Sequence, residues 1–280
     1  MFVEASTITN SSPLVSAAEL AAFTALTHRM CDASGEVILR YFRNPVDVVD
    51  KADKGPGVYS PVTKADQGSE KIIRQLINET FPEHGIKGEE FGDENLDAEY
   101  VWVLDPIDGT KAFITGFTSW GTLIALLKNG EPVLGALNQP YVGERFIGTP
   151  DGTTLNGEAI KTRACGTFEP AHLSMTEMAM MKTEAQRQAF DKIAEQVGYF
   201  RLGGDCYNYA LLAAGHIDLV IEGDLMPWDI QALIPIVEGA GGIITLWDGA
   251  PITAGGWVVA AGDATLHAQA MAILQDAAPA

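Results

Sequence analysis

Trp102-Val103-Leu104-Asp105-Pro106-Ile107-Asp108-Gly109-Thr110-Lys111 is the stretch around which the rest of the chain is organised. The apolar run 101–104 reads as a buried β-strand, and Pro106 and Gly109 force a tight change of direction as the chain leaves the sheet. Pro106 cannot continue a hydrogen-bond ladder, so Asp105 and Asp108 turn toward one point with the Ile107 carbonyl between them. Hard oxygen donors of this kind suit Mg²⁺, which takes one or two carboxylates and leaves its other positions to water and phosphate. Gly109 lets backbone N–H groups approach an anion, and a Thr110 hydroxyl beside a metal can orient an attacking water. Asp-Pro-Ile-Asp-Gly is also an ordinary turn sequence, and the rest of the chain decides between the two readings.

Downstream of the turn, the apolar runs 122–127 and 132–137 are joined by Lys128-Asn129-Gly130-Glu131, a strong hairpin signal. Residues 144–148 and 153–160 continue in antiparallel style. Upstream, residues 16–41 carry Leu20, Phe23, Leu26, Met30, Val37 and Ile38 at helical spacing, with a break or bend expected near Gly35. Residues 46–61 are rich in Gly, Pro and charge and read as a loop or flexible hairpin; its part 51–60 is either a lid over the acidic turn or a plain surface loop. A second helix opens after Ser60, with Ile72, Ile73, Leu76, Ile77 and Phe81 on one face and Asp66 at or near its N-cap. A short strand then leads to Gly88 and the acid pair Glu89-Glu90.

From Ala171 the pattern becomes alternation. Strands at 172–175, 199–202, 218–221, 243–246 and 257–260 are separated by helices at 183–197, 207–214 and 230–238, with a last helix at 264–274, which predicts a second α/β layer. The expected division is an N-terminal α+β half, residues 1–167, and a C-terminal α/β half, residues 168–280, sharing one interface.

Composition narrows the class. A 280-residue chain that is 47% hydrophobic, with 29 glycines, is large enough for a substantial core and suits a mixed α/β enzyme. A formal net charge of −19 repels nucleic-acid phosphates and anionic membranes, and suits a protein that meets phosphate through bound cations; it also serves solubility. Cys31, Cys165 and Cys206 lack metal-binding or disulfide spacing, as expected of reduced thiols in a cytoplasm. No leader pattern opens the sequence, and the longest apolar candidate, 112–127, falls short of the roughly 20 residues a membrane span needs.

Pro227-Trp228-Asp229 places one more carboxylate at a helix start, where it could close a binuclear site. Gly88-Glu89-Glu90, Asp105-Pro-Ile-Asp108-Gly-Thr110, Trp228-Asp229 and Glu238-Gly-Ala-Gly-Gly242 together resemble the inositol monophosphatase superfamily of Mg²⁺-dependent, lithium-sensitive phosphatases, over nearly the whole chain. The resemblance implies an α/β fold, a layered α/β/α/β/α sandwich of the inositol monophosphatase and fructose-1,6-bisphosphatase type, with the active site between its halves. It implies that Glu89, Asp105, Asp108, Asp229 and the Ile107 carbonyl bind two or three Mg²⁺ ions. It implies too that Asp66 and Thr110 activate the water, that Gly109 and Thr110 amides meet the phosphate, and that the protein is a homodimer.

Asp108-Gly-Thr-Lys111-Ala-Phe113, Asn138-Gln139-Pro140, Glu144-Arg145-Phe146 and Gly203-Gly204-Asp205-Cys206-Tyr207 look like the histidinol-phosphate phosphatase branch. Histidinol phosphate carries an ammonium and a partly protonated imidazole, so Asp205 and Glu222 could pair with cationic nitrogen beside Asp229. Asp205 reads equally as a helix N-cap, and the two roles are compatible. The expected function is therefore hydrolysis of L-histidinol phosphate in histidine biosynthesis. The alternatives are an inositol-1-phosphatase or broader sugar or nucleotide phosphatase and, from another class, a regulatory binding protein.

Overall fold

The sequence builds two large sheets whose central strands bury both faces, so each needs helices above and below it. The structure, a computed structural model, describes residues 15–44, 48–50 and 61–279. Helix α1 (Ala17–Leu39) starts at a capping box, with Ser16 Oγ accepting from Glu19 N and Glu19 reaching back to Ser16 N. It runs unbroken through Gly35, contrary to the expected bend. A Cβ at Gly35 would lie 3.1 Å from that of Pro140, so the glycine serves close packing rather than a break. Strands β1 (Val48–Asp50) and β2 (Pro61–Thr63) pair antiparallel, and the 51–60 loop lies outside the described residues. Thr63 caps α2 (Lys64–Thr80), and Asp66, near the N-cap as expected, stands at the third helical position and completes a capping box by accepting from Thr63 N.

The first sheet runs in chain order: β3 (Gly85–Gly88), β4 (Tyr100–Asp108), β5 (Gly121–Lys128), β6 (Glu131–Gln139), β7 (Glu144–Thr149), β8 (Gly152–Leu155) and β9 (Glu158–Ile160). Only β3 and β4 are parallel. Asn129 and Gly130, both at positive φ, make the predicted β5–β6 hairpin. Residues 153–160 continue the antiparallel pattern as expected and fold back on themselves through a second such pair, Asn156 and Gly157. The short helix α3 (Thr110–Thr115) follows β4.

The second sheet has the order β11-β10-β12-β14-β13, from β10 (His172–Met175), β11 (Tyr199–Leu202), β12 (Leu219–Leu225), β13 (Ile243–Leu246) and β14 (Gly256–Ala261). Its helices are α4 (Glu184–Ala194), α5 (Tyr207–Ala213), α6 (Pro227–Ile230), α7 (Leu233–Gly239) and α8 (Ala264–Leu274). The single helix expected over 230–238 is thus two, α6 and α7. The division expected after residue 167 falls between β9 and β10, and the hydrophobic core is continuous across it.

Side-chain alternation along β4 sorts the core into layers. Trp102 and Leu104 face α1 and α2, packing with Phe23, Leu26, Ile73 and Ile77. Val103 faces the other way, into a cluster with Tyr209, Leu233, Ile236 and Val220, where α5 and α7 lie between the sheets. Leu173, Ile221 and Val259 of the second sheet meet Phe190 of α4 and Leu266 of α8 on the outer face. The result is the α/β/α/β/α sandwich. Gly135 and Gly148 admit α7 to its sheet: a Cβ at either would fall 2.0 Å from Ala232 O and 2.3 Å from Ile236 N respectively.

Candidate active site

β4 does not stop at Asp105. Its pairing with β5 shifts register between Asp105 and Asp108, a bulge that turns two carboxylates out of an otherwise apolar strand. Asp105 Oδ1 accepts from Ile107 N at 3.0 Å, and Asp108 Oδ2 accepts from Cys206 N at 2.7 Å. Asp229, on the first turn of α6, accepts from Met226 N at 2.8 Å. Carboxylate oxygens of Asp105, Asp108 and Asp229 all lie within 4.8 Å of one another, although Asp229 is more than a hundred residues from the turn.

Burial, together with the charges of its neighbours, pushes Asp105 and Asp108 well above the usual carboxylate range. Carboxylates held this close repel one another unless a cation neutralises them, so the donor set fits a hard divalent ion. Glu89 lines the same cleft, just beyond β3. Its turn is fixed from α2: Glu70 accepts from Glu90 N and Phe91 N, and Arg74 bonds Glu70 and the carbonyl of Gly92. Gly88 is required there because a Cβ would fall 2.1 Å from Glu70 Oε1. Nothing in the sequence marks this buried Glu70–Arg74 support, because Glu and Arg at i and i+4 look like an ordinary surface pair.

The cleft has a volume of ≈ 490 Å³ and is lined by every expected metal-binding residue together with Gly109, Thr110 and Asp205. Gly109 adopts φ 81, and a Cβ there would meet Asp205 Cγ at 2.9 Å. Asp205, itself at φ 48, is therefore pressed against the metal-binding turn from the second half of the chain. Ser119 Oγ donates to Asp205 at 3.0 Å, and burial raises the carboxyl above its ordinary value. Asp205 is not a side-chain cap: α5 begins after Cys206 without one.

Two expected site residues lie apart from the cleft wall. Asp66 is buried and accepts from Thr63 N and Oγ1 at 2.8 and 2.5 Å, with burial raising it to about 6. Thr110 Oγ1 donates to the Ile107 carbonyl at 3.0 Å, so no hydrogen bond joins Thr110 to Asp66 among the described residues. Glu222, expected in the pocket, is buried outside it, accepting from Thr176 N and Oγ1 and from Tyr209 OH.

The model of the inositol monophosphatase family matches residues 19–278. The chain belongs to that family. It is 46% identical over 281 residues to the bifunctional phosphatase IMPL2, chloroplastic, of Arabidopsis thaliana, covering 96% of this chain and 80% of that one. A histidinol-phosphatase of Chlorobaculum parvum is 34% identical, covering 78% of this chain and 83% of the relative. The solved structure of an inositol monophosphatase from Zymomonas mobilis superposes with a TM-score of 0.81 at 44% identity, covering 93% of this chain and all of the other. The protein is a phosphomonoester hydrolase acting on small phosphorylated substrates. Among the described residues no helix is long and apolar enough to cross a membrane.

Proposed function

We propose that the protein is a Mg²⁺-dependent phosphatase that hydrolyses L-histidinol phosphate to L-histidinol and phosphate, a step of histidine biosynthesis. The observation that carries the substrate is Asp205: a half-buried carboxylate beside the metal-binding turn, held by the Ser119 hydroxyl and, among the described residues, by no ion pair within 4 Å. A leaving group with cationic nitrogen offers it a partner, whereas inositol offers only hydroxyls. The likeness to a histidinol-phosphatase at 34% identity supports the same reading.

Glu89, Asp105, Asp108, Asp229 and the Ile107 carbonyl would hold two or three Mg²⁺ ions, and their four negative charges balance two divalent ions. When bound, such ions neutralise phosphate charge and acidify water. The chain's own groups supply the rest. Gly109 and Thr110 amides hold phosphate oxygens and the Thr110 hydroxyl orients the attacking water; for Asp66 to receive the proton, that hydroxyl turns from the Ile107 carbonyl, which it bonds at 3.0 Å in the structure, toward Asp66. No covalent phosphoenzyme is needed.

The likeness to the Zymomonas mobilis inositol monophosphatase favours a second reading, hydrolysis of myo-inositol 1-phosphate at the same metal site. Replacing Asp205 separates the two. Asp205→Asn is expected to raise KM for L-histidinol phosphate about tenfold, the scale of one charge-assisted hydrogen bond, while moving inositol phosphate little. An unchanged KM for histidinol phosphate removes Asp205 from recognition. We also infer a lithium-inhibited homodimer in a reducing cytoplasm. Light scattering, a Li⁺ titration and cell fractionation test these; a monomer, uninhibited turnover or an organellar location would overturn each in turn.

A further inference from the structure

The far wall of the cleft is formed by residues 176–182, and β12 holds that segment at both ends. Glu222 grips its start through Thr176, and Asp224 grips its end, with Asp224 Oδ2 3.1 Å from Lys182 Nζ. A third tether crosses the cleft mouth, where Lys111 Nζ meets Glu177 Oε1 at 2.8 Å. The two β12 carboxylates serve different faces because β12 shifts register between Glu222 and Leu225. Asp224 stands in that bulge at φ 61, with Gly223 before it closed against the Trp257 indole. The bulge re-aims Asp224 outward into the cleft while its neighbour Glu222 stays buried.

Charge then decides what this wall accepts. With Glu89, Asp105, Asp108 and Asp229 matched by divalent ions, the remaining lining presents Glu177, Asp205 and Asp224 against Lys111 and Lys182. The excess is negative, and both lysines are about half exposed on flexible stems, so their pairing is weak and exchangeable.

We propose that Asp224 is a specificity-determining residue: it receives a cationic nitrogen of the leaving group in exchange for Lys182. This rests on the proposed preference for a cationic phosphate monoester and deepens it. Lys182 acts as an internal competitor that occupies the carboxylate until substrate arrives. Asp205, deeper in the cleft, and Asp224, at its wall, then form two separate anionic points, which suits a leaving group with two basic nitrogens.

The test is a pair of substitutions with opposite expected signs. Asp224→Gly removes the carboxylate at a backbone conformation that glycine adopts freely, so a folded protein is expected. Lys182→Met removes the competitor and keeps the aliphatic stem. Steady-state rates are measured with L-histidinol phosphate, ethanolamine phosphate and the uncharged-alcohol ester glycerol 2-phosphate. Asp224→Gly is expected to lower the kcat/KM ratio of cationic over neutral esters about fivefold, through KM, and Lys182→Met to raise it. A purely structural role for the pair would move both variants and all three esters in the same direction, and that result, or an unchanged ratio, overturns the inference. Opposite shifts for ethanolamine phosphate in an enzyme that discriminates against histidinol phosphate would uphold the role of Asp224 and remove the histidinol reading instead.

Discussion

Replacing Asp105 by Asn should make the metal-free protein more stable and the metal-loaded protein less so. Asp105, Asp108 and Asp229 place oxygens within 4.8 Å of one another. At that separation each ionised pair costs about 3.5 kcal/mol for an effective dielectric constant of roughly 20. Asp105 takes part in two of the three pairs, and proton uptake relieves part of the cost, so about 2 kcal/mol is a reasonable gain for the variant in EDTA at pH 8. Asn keeps the acceptor that Ile107 N uses, so the turn itself is preserved. For a chain of this size that gain corresponds to a rise in Tm of about 4 °C. In Mg²⁺ at a hundredfold excess over its Kd the native protein gains about 2.7 kcal/mol, and the variant gains far less because it has lost a ligand. Thermal unfolding in EDTA and in Mg²⁺ should therefore show the two proteins exchanging rank. A variant that is less stable in EDTA and gains as much from Mg²⁺ as the native protein would refute the reasoning.

Asp66→Asn keeps an acceptor for Thr63 and removes the proton acceptor, so kcat is expected to fall at least about a hundredfold with metal affinity retained; calorimetric Mg²⁺ titration beside the rates checks both. Burial raises Glu222 to about 7, well above the ordinary glutamate value of 4.5 that the unfolded chain keeps. The folded state thus holds a proton that the unfolded state has lost, and stability falls as pH rises through that window. Glu222→Gln should remove this slope, gaining roughly 3 kcal/mol relative to the native protein between pH 4 and 8 in denaturant unfolding; parallel pH profiles would count against it. Gly135→Ala places a methyl group where the Ala232 carbonyl lies 2.0 Å away. A loss of about 3 kcal/mol in stability is expected, and a neutral result would show that α7 does not rest on this sheet as described.

Local signals in the sequence were most informative where they had little competition from tertiary contacts. The Asn129-Gly130 turn, the strand and helix alternation after Ala171, and the clustered acids at the central turn could all be read directly. Gly35 misled because a glycine in a helix reads as a break, while its cause here is Pro140, more than a hundred residues away. Asp66 lies near the helix start as read, and Thr63 takes the cap itself because it is an equally good cap and comes earlier. Glu222 was expected to face substrate, yet Thr176 and Tyr209 claim it, and neither can be identified as a partner from spacing. Asp224 and Lys182 carried no motif at all; only the bulge in β12 brings them to the cleft.

The central claim, metal-dependent hydrolysis of a cationic phosphate monoester at this cleft, is tested most directly by phosphate release from L-histidinol phosphate and myo-inositol 1-phosphate, side by side, in Mg²⁺ and in EDTA. The account predicts turnover in Mg²⁺ alone, with kcat/KM at least about tenfold higher for histidinol phosphate, a difference of about 1.4 kcal/mol in transition-state binding. A preference for inositol phosphate would contradict the substrate, and undiminished turnover in EDTA would contradict the metal site.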